Sequence, residues 1–224
     1  STLSPSSAAS DVYKRQCKNM KVTFQLLDAD YVMVDRQPIV RLFGKTKEGK
    51  SVCVFAKGFY PYFYVDVKKG KEEALIALLK KEFGSEIRKV EWVERFLPVG
   101  YDESKKRLMK VTVTTPARVP DMRERIKKSG LARATYEADI LFKHRFIVDK
   151  NLYGMRWYEC NAVPTNTNTT STNIKVEGEE FKEVDIHENA PLKYLSFDIE
   201  VAPGERGLPD AEKDPIIIVS IAFN

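Results

Sequence analysis

From Met20 onward the hydrophobic positions recur with a short period. MKVTFQLLDADYVMV and QPIVRLFGKT are β-rich runs divided by the polar pair Asp35-Arg36, and KEGKS turns the chain into VCVFAKG. This predicts three antiparallel strands. FYPYFYVDV follows as an aromatic, alternating strand in which Pro61 belongs at an edge or a strand start. In KGKEEALIALLKKEFG the apolar residues Ala74, Leu75, Leu78, Leu79 and Phe83 form a helical stripe closed by Gly84. IRKVEWVERFL and LMKVTVTT read as strands. Val119-Pro120-Asp121 opens a second helix that stops at Gly130, and ATYEADI completes the set. Residues 59–140 thus run β-α-β-β-α-β, the ferredoxin-like or RRM-like order of an antiparallel sheet with helices on one face. The expected class is α+β. LFKHRFIVDKNLYG continues as helix or strand with a basic face, and YLSFDIEV and PIIIVSIAFN are two further strands, the first read as buried.

Three segments break the pattern. Residues 1–19, rich in Ser and Ala, lack both periodicity and the apolar stretch of a signal peptide, and read as a disordered or non-native leader before a start at Met20. Residues 161–173, NAVPTNTNTTSTN, are low-complexity polar sequence expected to form a mobile loop, and 177–188 is acidic. The expected organisation is a leader over 1–19, an N-terminal domain over 20–160, a polar and acidic linker over 161–190, and a second domain over 191–224. That last stretch ends inside what should be a sheet, which implies a fragment.

A hydrophobic fraction of 43% with 31% charged residues describes a folded chain. No apolar stretch approaches the roughly 20 residues that span a bilayer. Three widely spaced cysteines, Cys17, Cys53 and Cys160, make neither a disulfide framework nor a zinc site and suit a reducing cytoplasm. The net charge of +5 conceals an asymmetry. Residues 1–160 carry 32 Lys and Arg against 20 Asp and Glu, whereas 161–224 carry 5 against 12. Nucleic acid, if bound, belongs on the first part.

Asp198-Ile199-Glu200 carries the candidate chemistry. Carboxylates at i and i+2 of a strand project to the same face, where they can share hard divalent cations. Asp210-Ala211-Glu212 repeats the spacing inside a polar loop, where solvated charge is the expectation. His144 and His187 have no partner at ligand spacing.

Four segments, in order, resemble archaeal-type family B DNA polymerases: LLDADYVMVDRQPIVRLFGKT, FYPYFYV, DILFKHRFIVDKNLYG and YLSFDIE. The last is similar to the first motif of their 3′–5′ proofreading exonuclease, an RNase H-like domain. The resemblance implies that Asp198 and Glu200 are catalytic metal ligands for two Mg²⁺ (or Mn²⁺) ions in a complete site. It implies a pocket for template uracil at Tyr31, Pro61, Tyr62, Phe142 and Arg145, with Pro98 and Val99 aligned alongside. Arg145 would serve a phosphate or close the pocket. Leu141 departs from the proline that archaeal members often carry. The parent enzyme implied is a DNA-directed DNA polymerase of the cytoplasm and nucleoid, with DNA as substrate and a sliding clamp as a partner. The chain as it stands is expected neither to polymerise nor to proofread. Two other readings stay open. One is an RRM-like module stacking single strands on Tyr60, Tyr62 and Tyr64; the other is a standalone DEDD-type exonuclease.

Overall fold

A computed structural model describes residues 20–97, 103–204 and 207–224. The leader, Cys17, Pro98 and Val99 lie outside the described residues. The fold is mixed α+β and mostly strands.

The first three strands are β1 (Met20–Val34), β2 (Gln37–Lys45) and β3 (Ser51–Ala56). Asp35 and Arg36 make the two-residue turn between β1 and β2, both at positive φ, as hairpin turns that match strand twist require. Far along the sequence, β8 (Trp157–Pro164) and β9 (Ile174–Val184) pair back to close a five-stranded barrel in the order β1-β2-β3-β9-β8. The β3–β9 contact is parallel and the other pairings are antiparallel. Inward positions alternate as a pleated strand demands. Val22, Phe24 and Leu26 enter from β1, Val40 and Leu42 from β2, Val52 and Val54 from β3, and Tyr158, Cys160 and Ala162 from β8.

Gly44 sits on this inner face because nothing larger fits: a Cβ there would come within 2.4 Å of the Gln25 carbonyl oxygen and 2.5 Å of the Phe24 ring. The nearer obstacle is backbone and cannot rotate away. Gly44→Ala is therefore expected to destabilise the chain by about 1–3 kcal/mol or more, read as a lowered urea midpoint.

The second half of the expected linker is instead strand β9. Its inner face carries Val176 and Gly178, with Phe181 packed on the same core beyond a register shift, and Glu177 and Glu179 take outer positions, so alternation outweighs net charge over this stretch. The polar loop before it is tied down. Arg41 donates to the Thr169 carbonyl at 2.6 Å, and Asn173 Oδ1 accepts from the Ser51 amide and hydroxyl at 3.0 and 2.8 Å. Residues 188–191 dock on the barrel as well. Buried Gln25 donates to Asn189 Oδ1 at 2.7 Å and accepts from the Ala190 amide at 2.9 Å, while Trp157 Nε1 donates to the Glu188 carbonyl at 2.8 Å.

Between β3 and β8 the chain forms a second layer: β4 (Tyr62–Val67), α1 (Glu72–Phe83), β5 (Ile87–Arg95), β6 (Lys106–Val113), α2 (Val119–Ser129) and β7 (Ala132–Tyr136). The strands lie in the order β5-β6-β4-β7, all antiparallel. Phe63, Val65, Met109, Val111 and Val113 meet Leu75 and Leu79 of α1 and Met122 and Ile126 of α2 in one core. Gly130 ends α2 in the left-handed conformation, at φ 67°, which a residue without Cβ adopts freely. Strand β4 is central in this sheet, and Pro61 takes the strand-start place of the two expected for it. Pro61 immediately precedes the strand, and its carbonyl accepts from the Val113 amide at 2.9 Å.

Helix α3 (Phe142–Asp149) leads back to the barrel, and β10 (Leu195–Val201) pairs antiparallel with β11 (Ile216–Phe223). Expected as buried, β10 is exposed along nearly its whole length, with Phe197 at 69%. The pair forms a sheet by itself, so neither face is covered by a neighbouring element.

Candidate functional site: a base-sized cavity and a carboxylate pair

The chain returns from the second layer to the barrel through residues 137–141, and this return creates a cavity of about 440 Å³. Tyr31 of β1, Pro61 and Tyr62 at the start of β4, and Phe142 and Arg145 of α3 all line it. These five residues span more than a hundred positions of sequence. The barrel and the sheet meet here, which is why they converge.

Each wall is held for an identifiable reason. Phe142, 5% exposed, belongs to the barrel core on one side and faces the cavity on the other. Its ring meets Tyr31 edge-on at 5.2 Å and stacks on Phe59 at 5.5 Å. The Tyr62 hydroxyl donates to the Asp149 carboxylate, 2.7 Å from Oδ2 and 2.9 Å from Oδ1. Burial and that hydrogen bond push its ionisation well above the ordinary tyrosine range. The guanidinium of Arg145 lies 4.5 Å from the Tyr62 ring centroid and the Lys110 ammonium 4.0 Å.

Arg145 is not a free cation. It is 7% exposed, forms an ion pair with the Glu137 carboxylate, and donates to the Glu137 carbonyl at 3.1 Å. Burial works against its charge, but Glu137, with Tyr62 and Asp149 nearby, outweighs burial and raises its pKa. Glu137 adopts φ 60°, outside the usual range for a residue with a Cβ. Its side chain and its carbonyl grip the same guanidinium. The turn and the arginine therefore hold each other in place.

Sequence reading missed part of this cavity. Pro116, Val119 and Pro120 line it from the start of α2. The available signal was TTPARVP, two prolines framing a helix start. Leu141 is exposed at the rim.

The aromatic row Tyr60, Tyr62 and Tyr64 does not form an open stacking platform. Arg88 covers the Tyr60 ring at 3.8 Å, Tyr62 is engaged as described, and Tyr64 is 6% exposed. His144 is exposed, and His187 lies 3.6 Å from Asp185 at the surface. Burial pushes the Cys53 thiol up to about 12 and that of Cys160 to about 11, so neither is a nucleophile at neutral pH.

The carboxylate pair lies on the hairpin. Asp198 pairs with Ser220 and Glu200 with Ile218, while Phe197, Ile199, Ile221 and Val219 take the opposite face. The acids thus share a face with Ser196, Ser220 and Ala222 and with Ile218, which stands opposite Glu200, and the other face is wholly apolar. Among the described residues no group of three His, Cys, Asp or Glu side chains converges there or elsewhere. Two hard oxygen donors on one face suit a divalent cation as part of a ligand set, and two alone make an incomplete one. The look-alike Asp210 is committed to its own turn: it accepts from Lys213 Nζ at 2.7 Å and from the Glu212 amide at 3.0 Å.

The family model described as DNA polymerase family B, exonuclease domain, matches residues 133–224. DNA polymerase 2 of Aeropyrum pernix is 37% identical over 213 residues, covering 89% of this chain and 25% of that protein. The chain belongs to the family B DNA polymerases. The DNA polymerase delta catalytic subunit of Arabidopsis thaliana is 29% identical, covering 90% of this chain and 22% of its own length. The solved family B DNA polymerase from Pyrobaculum calidifontis superposes with a TM-score of 0.69 at 30% identity, over 90% of this chain and 25% of that one. This family B chain therefore spans about a quarter of the length of the relatives it matches. The family match begins inside β7 and takes in α3, β8 and β9, which close the barrel, together with the β10–β11 hairpin.

Proposed function

We propose that this chain is the template-sensing N-terminal region of a DNA-directed DNA polymerase, continuing into the first metal-binding strand of its 3′–5′ exonuclease. The observation that carries the reading is the convergence of Tyr31, Pro61, Tyr62, Phe142 and Arg145 on one cavity. Prolines and aromatic rings give flat walls of the kind a flipped base occupies. The 137–141 turn lines the same space, so its backbone groups can read a pyrimidine edge, and walls that close on the base would exclude the thymine methyl and admit uracil. Arg145 is a positioning residue in this scheme: through Glu137 and Tyr62 it fixes the turn and the wall.

The layers fit the role. The second layer has the ferredoxin-like, RRM-like order, and the barrel, with its β1-β2-β3-β9-β8 order and parallel closure, has that of an OB-fold. Both are frequent carriers of single-stranded nucleic acid. In an RNase H-like exonuclease domain, Asp198 and Glu200 would hold Mg²⁺ or Mn²⁺ together with carboxylates from other strands. The ions would supply an activated water and stabilise the leaving oxygen. The chain's own part is to present two carboxylates on one face, with the small residues Ser196 and Ser220 beside Asp198 and Ile218 opposite Glu200. The apolar face of the hairpin would be covered by further strands and helices of that domain. For the longer enzyme we expect DNA replication at the nucleoid, with a sliding clamp as partner.

The test is fluorescence anisotropy of the chain with labelled single-stranded DNA carrying one dU or one dT. Tighter binding of the dU strand is expected. Affinity should fall with salt, with a log–log slope of about −0.7 per phosphate contacted. Equal affinity for the two strands would remove the base-capture reading, and binding that ignores salt would remove the basic surface as its support.

A further inference from the structure

A second cavity of about 490 Å³ opens between α2 and β7, lined by Arg123, Lys127 and Arg133 with Glu124 as its single carboxylate. Arg123 lines this groove and the base-sized cavity alike. Resting on the base-capture reading above, we propose that a single strand whose base enters the first cavity passes its phosphates by Arg123 and along Lys127 into the α2–β7 groove.

Arg123 and Lys127 are four residues apart on α2 and share one face of the helix, about 6 Å apart along its axis. Arg123 pairs with its chain neighbour Glu124. The Arg123 Nε is buried without a hydrogen-bond partner, since Glu124 Oε1, 3.4 Å away, lies outside bonding geometry. Lys127 makes no ion pair among the described residues. A desolvated guanidinium N–H on a residue that lines both cavities lacks an acceptor, and a phosphate oxygen supplies one. Arg133 is held by Asp66 at 3.0 Å and contributes long-range charge rather than a free contact.

An acidic peptide added as a strand to the outer edge of β7 is the rival occupant. That edge is poorly suited to it: β7 has five residues, and its pairing with β4 slips between Asp66 and Val67, which leaves Arg133 as an extra residue. Short, bulged, charged edges resist strand addition. Continuity with the first cavity through Arg123 also favours a nucleic-acid strand.

The experiment compares the full chain with Lys127→Gln and Lys127→Arg, using labelled single strands with one dU or one dT, with and without flanking nucleotides. Lys127→Gln should weaken the flanked dU strand several-fold and flatten its salt slope by about 0.7. The dU-to-dT ratio and the melting temperature should stay as they were, Lys127→Arg should restore binding, and strands without flanks should not distinguish the variants. Unchanged affinity and slope for the flanked strand would overturn the proposal while leaving dU preference, and so base capture, intact. Loss of dU preference in every variant, with the Lys127 slope effect retained, would overturn base capture and leave a phosphate groove. If Lys127→Gln abolished only the binding of a polyglutamate peptide and spared DNA, the groove would be a peptide site and the proposal would fall.

Discussion

Glu137→Gln should cost the chain about 2–4 kcal/mol of stability and weaken dU recognition at the same time. The reason is the burial of its partner. Arg145 is 7% exposed, and without the Glu137 carboxylate its charge is left in a poorly solvated position with a carbonyl, the Tyr62 ring and the charge of Asp149 to offset it. Breaking a buried pair on one side costs about 3–5 kcal/mol, and the lower range applies because the Glu137 side chain keeps 29% exposure. Replacing both partners separates stability from function. Glu137→Gln with Arg145→Met leaves no stranded charge and should recover much of the stability, whereas dU preference should stay lost because the turn and the Tyr62 wall are no longer fixed. Urea denaturation and strand binding on the four proteins complete a double-mutant cycle. A coupling energy near zero would mean that the pair is incidental to the cavity.

The second large effect concerns the hairpin. In a polypeptide carrying a whole exonuclease domain, Asp198→Asn or Glu200→Gln should reduce metal-dependent 3′–5′ hydrolysis by at least about 10²-fold. Disturbing even the residues that orient metal ligands costs about 10–100-fold. Folding should be untouched, since both side chains are exposed and Asp198 accepts only from the neighbouring Ile199 amide. Asp210→Asn and Glu212→Gln form the matched control, with the same spacing in a different setting. Asp210 already spends its oxygens on Lys213 and the local turn, so hydrolysis should be unaffected. Equal losses from both pairs would show that spacing alone does not mark the site.

Those two cases show what local sequence can carry. Alternation in FDIE and in IIIVSIAF is a local property, so the shared face of Asp198 and Glu200 was legible before any fold was known. The same holds for both helices of the second layer and for the order of its strands. The hairpin's exposure was not legible, because apolar content says that a strand needs covering and not which element covers it.

The acidic stretch before residue 190 misled for a related reason. Net charge suggested a linker, yet β9 needs only its alternate positions to be small or apolar, and Val176 and Gly178 meet that need. Closure of the barrel pairs β1 with β8 and β3 with β9, across separations that no periodicity reveals.

Sequence by itself determined the first strands of this family B chain, the strands and helices of its second layer, the separation of basic from acidic halves, and the shared face of the carboxylate pair. These follow from propensity and period, which act over a few residues. Tertiary structure alone decided which side chains meet. It brought Pro116, Val119 and Pro120 to the cavity, buried Arg145 against Glu137, and placed Arg123 in the lining of two cavities. Burial and pairing are properties of distance in space, and the chain's return from sheet to barrel creates that distance only once both are folded.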